Sequence, residues 1–141
     1  MTRQTILRVV AKLLIPYILL FALYVQFHGD YGPGGGFQAG VIFAAAFILY
    51  ALVFGLESAR RVARPGVIEV LVALGVLIYA GTGIVAMLGG GNFLDYNALD
   101  HHNPVHGQHL GILLVELGVG ITVAATMIAI FFSFAGRRVQ R

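Results

Sequence analysis

The sequence lacks cysteine and carries little charge. Of its 141 residues, 11% are charged and 59% are hydrophobic. The absence of cysteine excludes disulfide bonds, thiol catalysis and cysteine-ligated metal or iron–sulfur centres. Soluble domains carry about 25% charged residues, and a chain this short could not bury so much apolar surface in its own core. The scarcity of charge therefore predicts a protein whose helices are surrounded by lipid.

Motifs of hydrolytic and nucleotide-binding proteins are also missing. The sequence has no His-Glu-x-x-His motif and no arrangement that suggests a Ser–His–Asp triad. A glycine run such as Gly34–Gly36 could belong to a phosphate-binding loop, but that loop requires a following lysine, and no lysine follows Lys12. These absences give no indication of hydrolysis or of phosphate binding.

Four long apolar runs predict an all-α integral membrane protein. A helix of about 20 residues crosses the roughly 30 Å hydrocarbon core of a bilayer. Small residues such as Gly40 and Ala44 recur near helical spacing in the second run, which favours close helix packing. The predicted spans are residues 7–27, 37–56, 67–88 and 109–134, and the connecting loops are residues 28–36, 57–66 and 89–108.

The nine basic residues predict the orientation of these spans. Arg3, Arg8 and Lys12 lie before or within the first turns of the first span, three basic residues lie in loop 57–66, and three follow the fourth span. Loops 28–36 and 89–108 contain no Lys or Arg, and they contain or border all five histidines. By the positive-inside rule, both termini and loop 57–66 face the cytoplasm. Because the basic residues follow this pattern, the net charge of +3 does not indicate nucleic-acid binding.

Two carboxylates in the predicted spans are candidates for an ion pathway. Glu116 lies about 9 Å along the fourth helix if that helix starts at Leu110. An ionised carboxylate in hydrocarbon costs several kcal/mol unless it is paired or hydrated, so Glu116 either serves an ion route or links helices by hydrogen bonding. Glu69 lies near the start of the third span, where Arg61 and Arg64 are potential partners.

Four histidines cluster within nine residues. Such clusters can bind zinc or respond to pH near the ordinary histidine pKa of about 6.5. Two of them, His106 and His109, would share a helix face if the fourth helix starts early. The loop lacks a recognised zinc spacing, so a solvated outer loop is the alternative. The weak candidates for pH sensing or metal binding are His101, His102, His106 and His109.

The most specific motif is Pro33-Gly34-Gly35-Gly36-Phe37. It resembles the signature of the MnhB/MrpB family, whose members are small subunits of the multisubunit Mrp/Mnh-type sodium/proton antiporters. That signature typically reads Gly-His-x-x-Pro-Gly-Gly-Gly-Phe. The run Val115-Glu116-Leu117-Gly118-Val119 resembles a second motif of the family, Phe-Asp/Glu-x-Gly-Val. Two positions depart from the pattern: Asp30 stands in place of the histidine, and Val115 in place of the aromatic residue.

The resemblance implies a four-span subunit of a hetero-oligomeric complex in the plasma membrane of a prokaryote. Such a complex exchanges cytoplasmic sodium for external protons, so the expected partners are other Mrp/Mnh subunits, sodium, protons and the bilayer. Members of this family are needed for activity but have no accepted transport site of their own, so this subunit would contribute to assembly, and a route along Glu116 is a separate hypothesis. As a transporter subunit, the chain is expected to be no enzyme and to need neither a cofactor nor a metal. One alternative is a membrane subunit of a complex I-like or hydrogenase-type enzyme, and another is a purely structural subunit. The turn that contains Pro33–Gly36, which we call the glycine turn, is expected to set the first two helices side by side rather than to take part in ion transport.

Overall fold

The structure is a computed structural model that describes residues 2–100 and 102–137. His101, Arg138 and Arg141 lie outside the described residues. Within those ranges, four helices are long and apolar enough to cross a membrane, which confirms the predicted all-α membrane fold. The helices are α1 (Thr2–His28), α2 (Gly36–Phe54), α3 (Leu56–Val62), α4 (Pro65–Leu88) and α5 (Pro104–Arg137), and a 3-10 turn covers Tyr96–Leu99.

Helix α5 begins at Pro104, inside the segment predicted as an outer loop. Proline suits a first helical turn, where its missing N–H has no partner to lose. The Asn103 side chain accepts a hydrogen bond of 3.3 Å from the N–H of His106, as a helix-capping asparagine does. The early start places Glu116 about 18 Å along the helix, rather than the 9 Å expected from a start at Leu110.

The long helices pack in the order α1, α2, α5, α4, with α5 held between α2 and α4. Small residues allow backbone contact at both faces of α5. A Cβ added to Gly40 of α2 would lie 2.7 Å from the Gly120 carbonyl oxygen, and one added to Gly75 of α4 would lie 2.5 Å from that of Gly118. Because no methyl group fits at these crossings, the glycines fix how closely the helices approach.

The two ends of this helix layer differ in charge. At one end, Nζ of Lys12 lies 5.8 Å from the centre of the Phe54 ring, and the Arg60 guanidinium lies at the same distance from a ring of α5. We call this the basic end. At the other end α1 stops at His28, and His109 of α5 contacts Asp30. We call this the histidine end.

Candidate functional site

The glycine turn between α1 and α2 folds back onto the last turns of α1. The N–H of Gly35 donates a 3.2 Å hydrogen bond to the carbonyl of Val25. Gly35 has a φ of +127°, which residues with a Cβ rarely adopt. A Cβ at Gly34 would lie 2.6 Å from the same Val25 oxygen. The consecutive glycines are therefore needed by the turn itself, and Phe37 just beyond them is exposed.

Glu116 of α5 reaches the inner side of this turn. A Cβ at Gly29 would lie 2.6 Å from each Glu116 carboxylate oxygen, and one at Gly35 would lie 3.3 Å from Oε1. Gly36 packs against the Glu116 backbone so closely that a Cβ there would lie 1.9 Å from its carbonyl oxygen. The Glu116 side chain is half-buried. The glycine motif, predicted to be structural, and the Glu116 motif, predicted to serve an ion route, are therefore in contact.

A cavity of about 380 Å³ lies beside the Glu116 carboxylate, and we call it the Glu116 cavity. Its wall mixes apolar and polar side chains from α1, the glycine turn and α5. The apolar ones are Phe27, Leu110 and Leu113, and the polar ones are Gln26, Asp30, Tyr31, His106, His109 and Glu116. The Asp30 carboxylate is hydrogen-bonded to Nδ1 of His109, which joins the turn to α5. The cavity is large enough for several water molecules, since each occupies about 30 Å³ in the liquid. The site can therefore hydrate a carboxylate inside a largely apolar protein.

Gln26 is a site residue that the sequence analysis missed. Its side chain is only 5% exposed, and its Nε2 has no hydrogen-bond partner among the described residues. A Cβ at Gly120 would lie 2.7 Å from its Oε1, so the amide is wedged against α5. The sequence did contain a signal: a polar amide side chain inside an apolar span, less than one helical turn from its end. Gln26 also lines a second cavity of about 600 Å³, which we call the apolar groove.

The rings of two outer histidines bond to different aspartates. His109 pairs with Asp30, whereas Nδ1 of His106 lies 3.0 Å from Oδ2 of Asp100. The backbone N–H of Asn103, the His106 ring and the backbone N–H of His102 hold the pKa of Asp100 below its ordinary value. In residues 2–100 and 102–137, no group of three His, Asp or Glu side chains is placed to hold a metal ion.

Glu69 lies apart from this site. It is exposed on the first turns of α4, close to the basic end and far along the layer from Glu116. The ion pairs among the described side chains involve only His106, His109 and their aspartates, so Arg61 and Arg64 do not pair with Glu69. The structure therefore separates the two predicted ion-pathway carboxylates, and only Glu116 faces a polar cavity.

The fold and this site define a small integral membrane protein with a polar cavity at one end of its helices. Residues 6–129 match the family described as "Domain related to MnhB subunit of Na+/H+ antiporter". The chain is 36% identical over 137 residues to "Putative antiporter subunit mnhB2" of Staphylococcus aureus strain Newman, covering 96% of both proteins. The same values hold for the proteins of strains JH1 and Mu3. The chain belongs to the MnhB family, which confirms the resemblance noted in its motifs.

Proposed function

We propose that this chain is a membrane subunit of a multisubunit sodium/proton antiporter, and that Glu116 lines an ion route opening at the histidine end. Family membership supports the first part. One observation carries the second: the glycine turn holds the Glu116 carboxylate at the wall of a polar cavity that Asp30 and His109 also line.

The cavity provides what an ion-handling carboxylate needs. Water in the cavity offsets the several kcal/mol that an ionised carboxylate costs in hydrocarbon, so Glu116 can change protonation state without unfolding its surroundings. The Asp30–His109 pair borders the same cavity and adds two further polar side chains to its wall. Gly29 and Gly35 have no side chains, so nothing at these positions shields the carboxylate from the cavity.

The orientation follows from the positions of the basic residues. Lys12 and Arg60 lie at one end of the layer, which faces the cytoplasm under the positive-inside rule. Both termini are then cytoplasmic, and the Glu116 cavity opens to the outside of a prokaryotic plasma membrane. That is the side from which protons enter when the complex moves sodium outward. The outer faces of α1 and α4 carry many exposed apolar side chains, which suits contact with lipid and with other Mrp/Mnh subunits.

Glu116→Gln tests the ion route, with Glu69→Gln as the matched control on the exposed side of α4. Sodium-dependent collapse of a proton gradient is measured in inverted vesicles, and assembly is measured by mass spectrometry of proteins that co-purify with the tagged chain. We expect Glu116→Gln complexes to assemble and to lose about tenfold or more of their antiport, because a general acid–base group is gone. Glu69→Gln complexes should keep both properties.

Normal antiport by assembled Glu116→Gln complexes would exclude an ion route through Glu116 and would leave a purely structural role for the subunit. Recovery of the tagged chain alone, as a stable monomer or homo-oligomer, would contradict the subunit assignment itself. The two failures are distinguishable because one is read from transport and the other from co-purification.

A further inference from the structure

The apolar groove is not used by the proposed ion route. All five helices contribute to its lining, α3 through Val62 alone, and its volume is about 600 Å³. Along α1 it extends from Ile15 to Gln26, a distance of about 16 Å at the helical rise per residue. The lining side chains are aliphatic, aromatic or small, and the Gln26 amide closes the groove at the histidine end.

The length of the groove suits a hydrocarbon chain. Its volume of about 600 Å³ over about 16 Å is more than one extended chain needs along this length. Non-bonded carbon atoms approach to about 4 Å, so an extended acyl chain fits the width. The length is about half of the roughly 30 Å hydrocarbon core, which is the depth reached by the acyl chains of one leaflet.

Basic side chains flank the groove where it reaches the basic end. Lys12 precedes Ile15 by one helical turn on the same face of α1, and its Nζ lies over the ring of Phe54. That ring lies 4.9 Å, centre to centre, from the ring of Tyr50, which lines the groove. These contacts place the Lys12 ammonium at the mouth of the groove.

Arg64 approaches the same mouth from the start of α4. It stands between the groove-lining residues Ala63 and Val67, and its side chain is exposed. The acids at this end among the described residues are Glu57 and Glu69, and they are outnumbered by the basic residues Arg8, Lys12, Arg60, Arg61, Arg64 and Arg137. This end is therefore net positive, whereas the groove behind it is apolar.

We propose that the apolar groove binds one acyl chain of an anionic phospholipid, with the lipid phosphate held by Lys12 and Arg64. The chain fills the groove between α1 and α5 up to Gln26, and the headgroup stays at the basic surface of the membrane. Each basic side chain near an anionic headgroup favours binding by about five-fold. Selection for negative headgroups then comes from the mouth, and tolerance of different acyl chains comes from the groove.

The test compares wild-type and variant complexes by the amount of phosphatidylglycerol that each retains. The purified complexes are placed in nanodiscs that contain phosphatidylcholine and a small fraction of phosphatidylglycerol. Retained lipid is measured by mass spectrometry after washing with a mild detergent. Lys12→Gln with Arg64→Gln should lower retained phosphatidylglycerol by several-fold, and Ala124→Phe, which places a ring in the groove, should lower it further. The controls Arg137→Gln and Ala73→Phe, which lie off the groove, should match the wild type.

A second readout remains valid if Ala124→Phe fails to assemble. The chain has no cysteine, so Ala124→Cys places one reactive thiol in the groove of this protein. Cross-linking of this thiol to a photoreactive phosphatidylglycerol supports the proposal. Cross-linking to a helix of another subunit, or phosphatidylglycerol retention that neither the groove variant nor the Lys12 and Arg64 variants alter, overturns it.

Discussion

The Glu116 cavity and the apolar groove share the Gln26 side chain but differ in chemistry. Titratable side chains line the first cavity, and the backbone of the glycine turn borders it. The groove is bounded almost wholly by apolar side chains. Small residues create both spaces. In the turn, glycines let a carboxylate approach the backbone, and along α2 and α5 glycines and alanines leave space between the helices. The positions of these small residues therefore decide where water or hydrocarbon can enter the protein.

Gly36→Val should have the largest effect, because it breaks the backbone contact behind the Glu116 cavity. A Cβ at this position would lie 1.9 Å from the Glu116 carbonyl oxygen, and neither backbone can move away freely. We expect destabilisation of at least about 3 kcal/mol and loss of the assembled complex on size-exclusion chromatography. Gly81→Ala is the control, since open space surrounds Gly81. Gly36→Val complexes that assemble as well as the Gly81→Ala control would contradict this account.

Gln26→Leu probes the boundary between the two cavities. The Nε2 of Gln26 is buried without a partner in the described part of the chain, so its removal should leave stability unchanged or raise it by about 1 kcal/mol. The comparison variant is Thr82→Val, because the buried Thr82 hydroxyl donates a 2.8 Å hydrogen bond to the Ile78 carbonyl. That variant should lose about 1 kcal/mol in thermal unfolding of the complex. A larger loss for Gln26→Leu than for Thr82→Val would show that the amide is satisfied.

Asp100→Ala should have the smallest effect, because Asp100 lies outside the Glu116 cavity and contacts its wall only through the His106 ring. Hydrogen bonds to the charged carboxylate lower the pKa of Asp100 from its ordinary value of 3.8. Their contribution to the stability of the loop is therefore fully present at pH values above the unfolded-state pKa, and it is lost as the pH falls through the lowered, folded-state pKa. We expect amide exchange protection at His102 and Asn103, corrected for intrinsic rates, to fall as the wild type is acidified below about pH 4. In Asp100→Ala it should be low at every pH. Equal protection in both proteins would exclude this role.

The sequence was sufficient for the four long apolar helices and for the glycine turn between the first two, because apolar runs and Gly34–Gly36 act locally. It did not predict α3 (Leu56–Val62), which occupies most of the predicted loop 57–66. It did not predict that Glu116 lies against that turn, since the contact depends on how α2 and α5 cross at Gly36. Gln26 was missed for a related reason. Helix α1 is apolar on all sides, so its sequence does not show which face packs against α5.

The start of α5 at Pro104 shows a different limit. The predicted span started at residue 109 because hydropathy reports where hydrocarbon begins, whereas a helix continues as long as its backbone is capped and bonded. Here the Asn103 side chain caps the polar first turn. The helix boundary and the membrane boundary are therefore separate quantities.

The account's central claim is that water reaches Glu116 from outside the cell, whereas the apolar groove, one helical turn deeper, excludes water. Two cysteine variants test this claim. Leu113 lines the Glu116 cavity and Leu117 lines the apolar groove, although both lie on α5 and both are 38% exposed. Intact cells carrying Leu113→Cys or Leu117→Cys are treated with a membrane-impermeant maleimide, and labelling is read by mass spectrometry. The account predicts labelling of Leu113→Cys and protection of Leu117→Cys. Equal labelling of the two, or labelling of Leu113→Cys only from the cytoplasmic side, would contradict it.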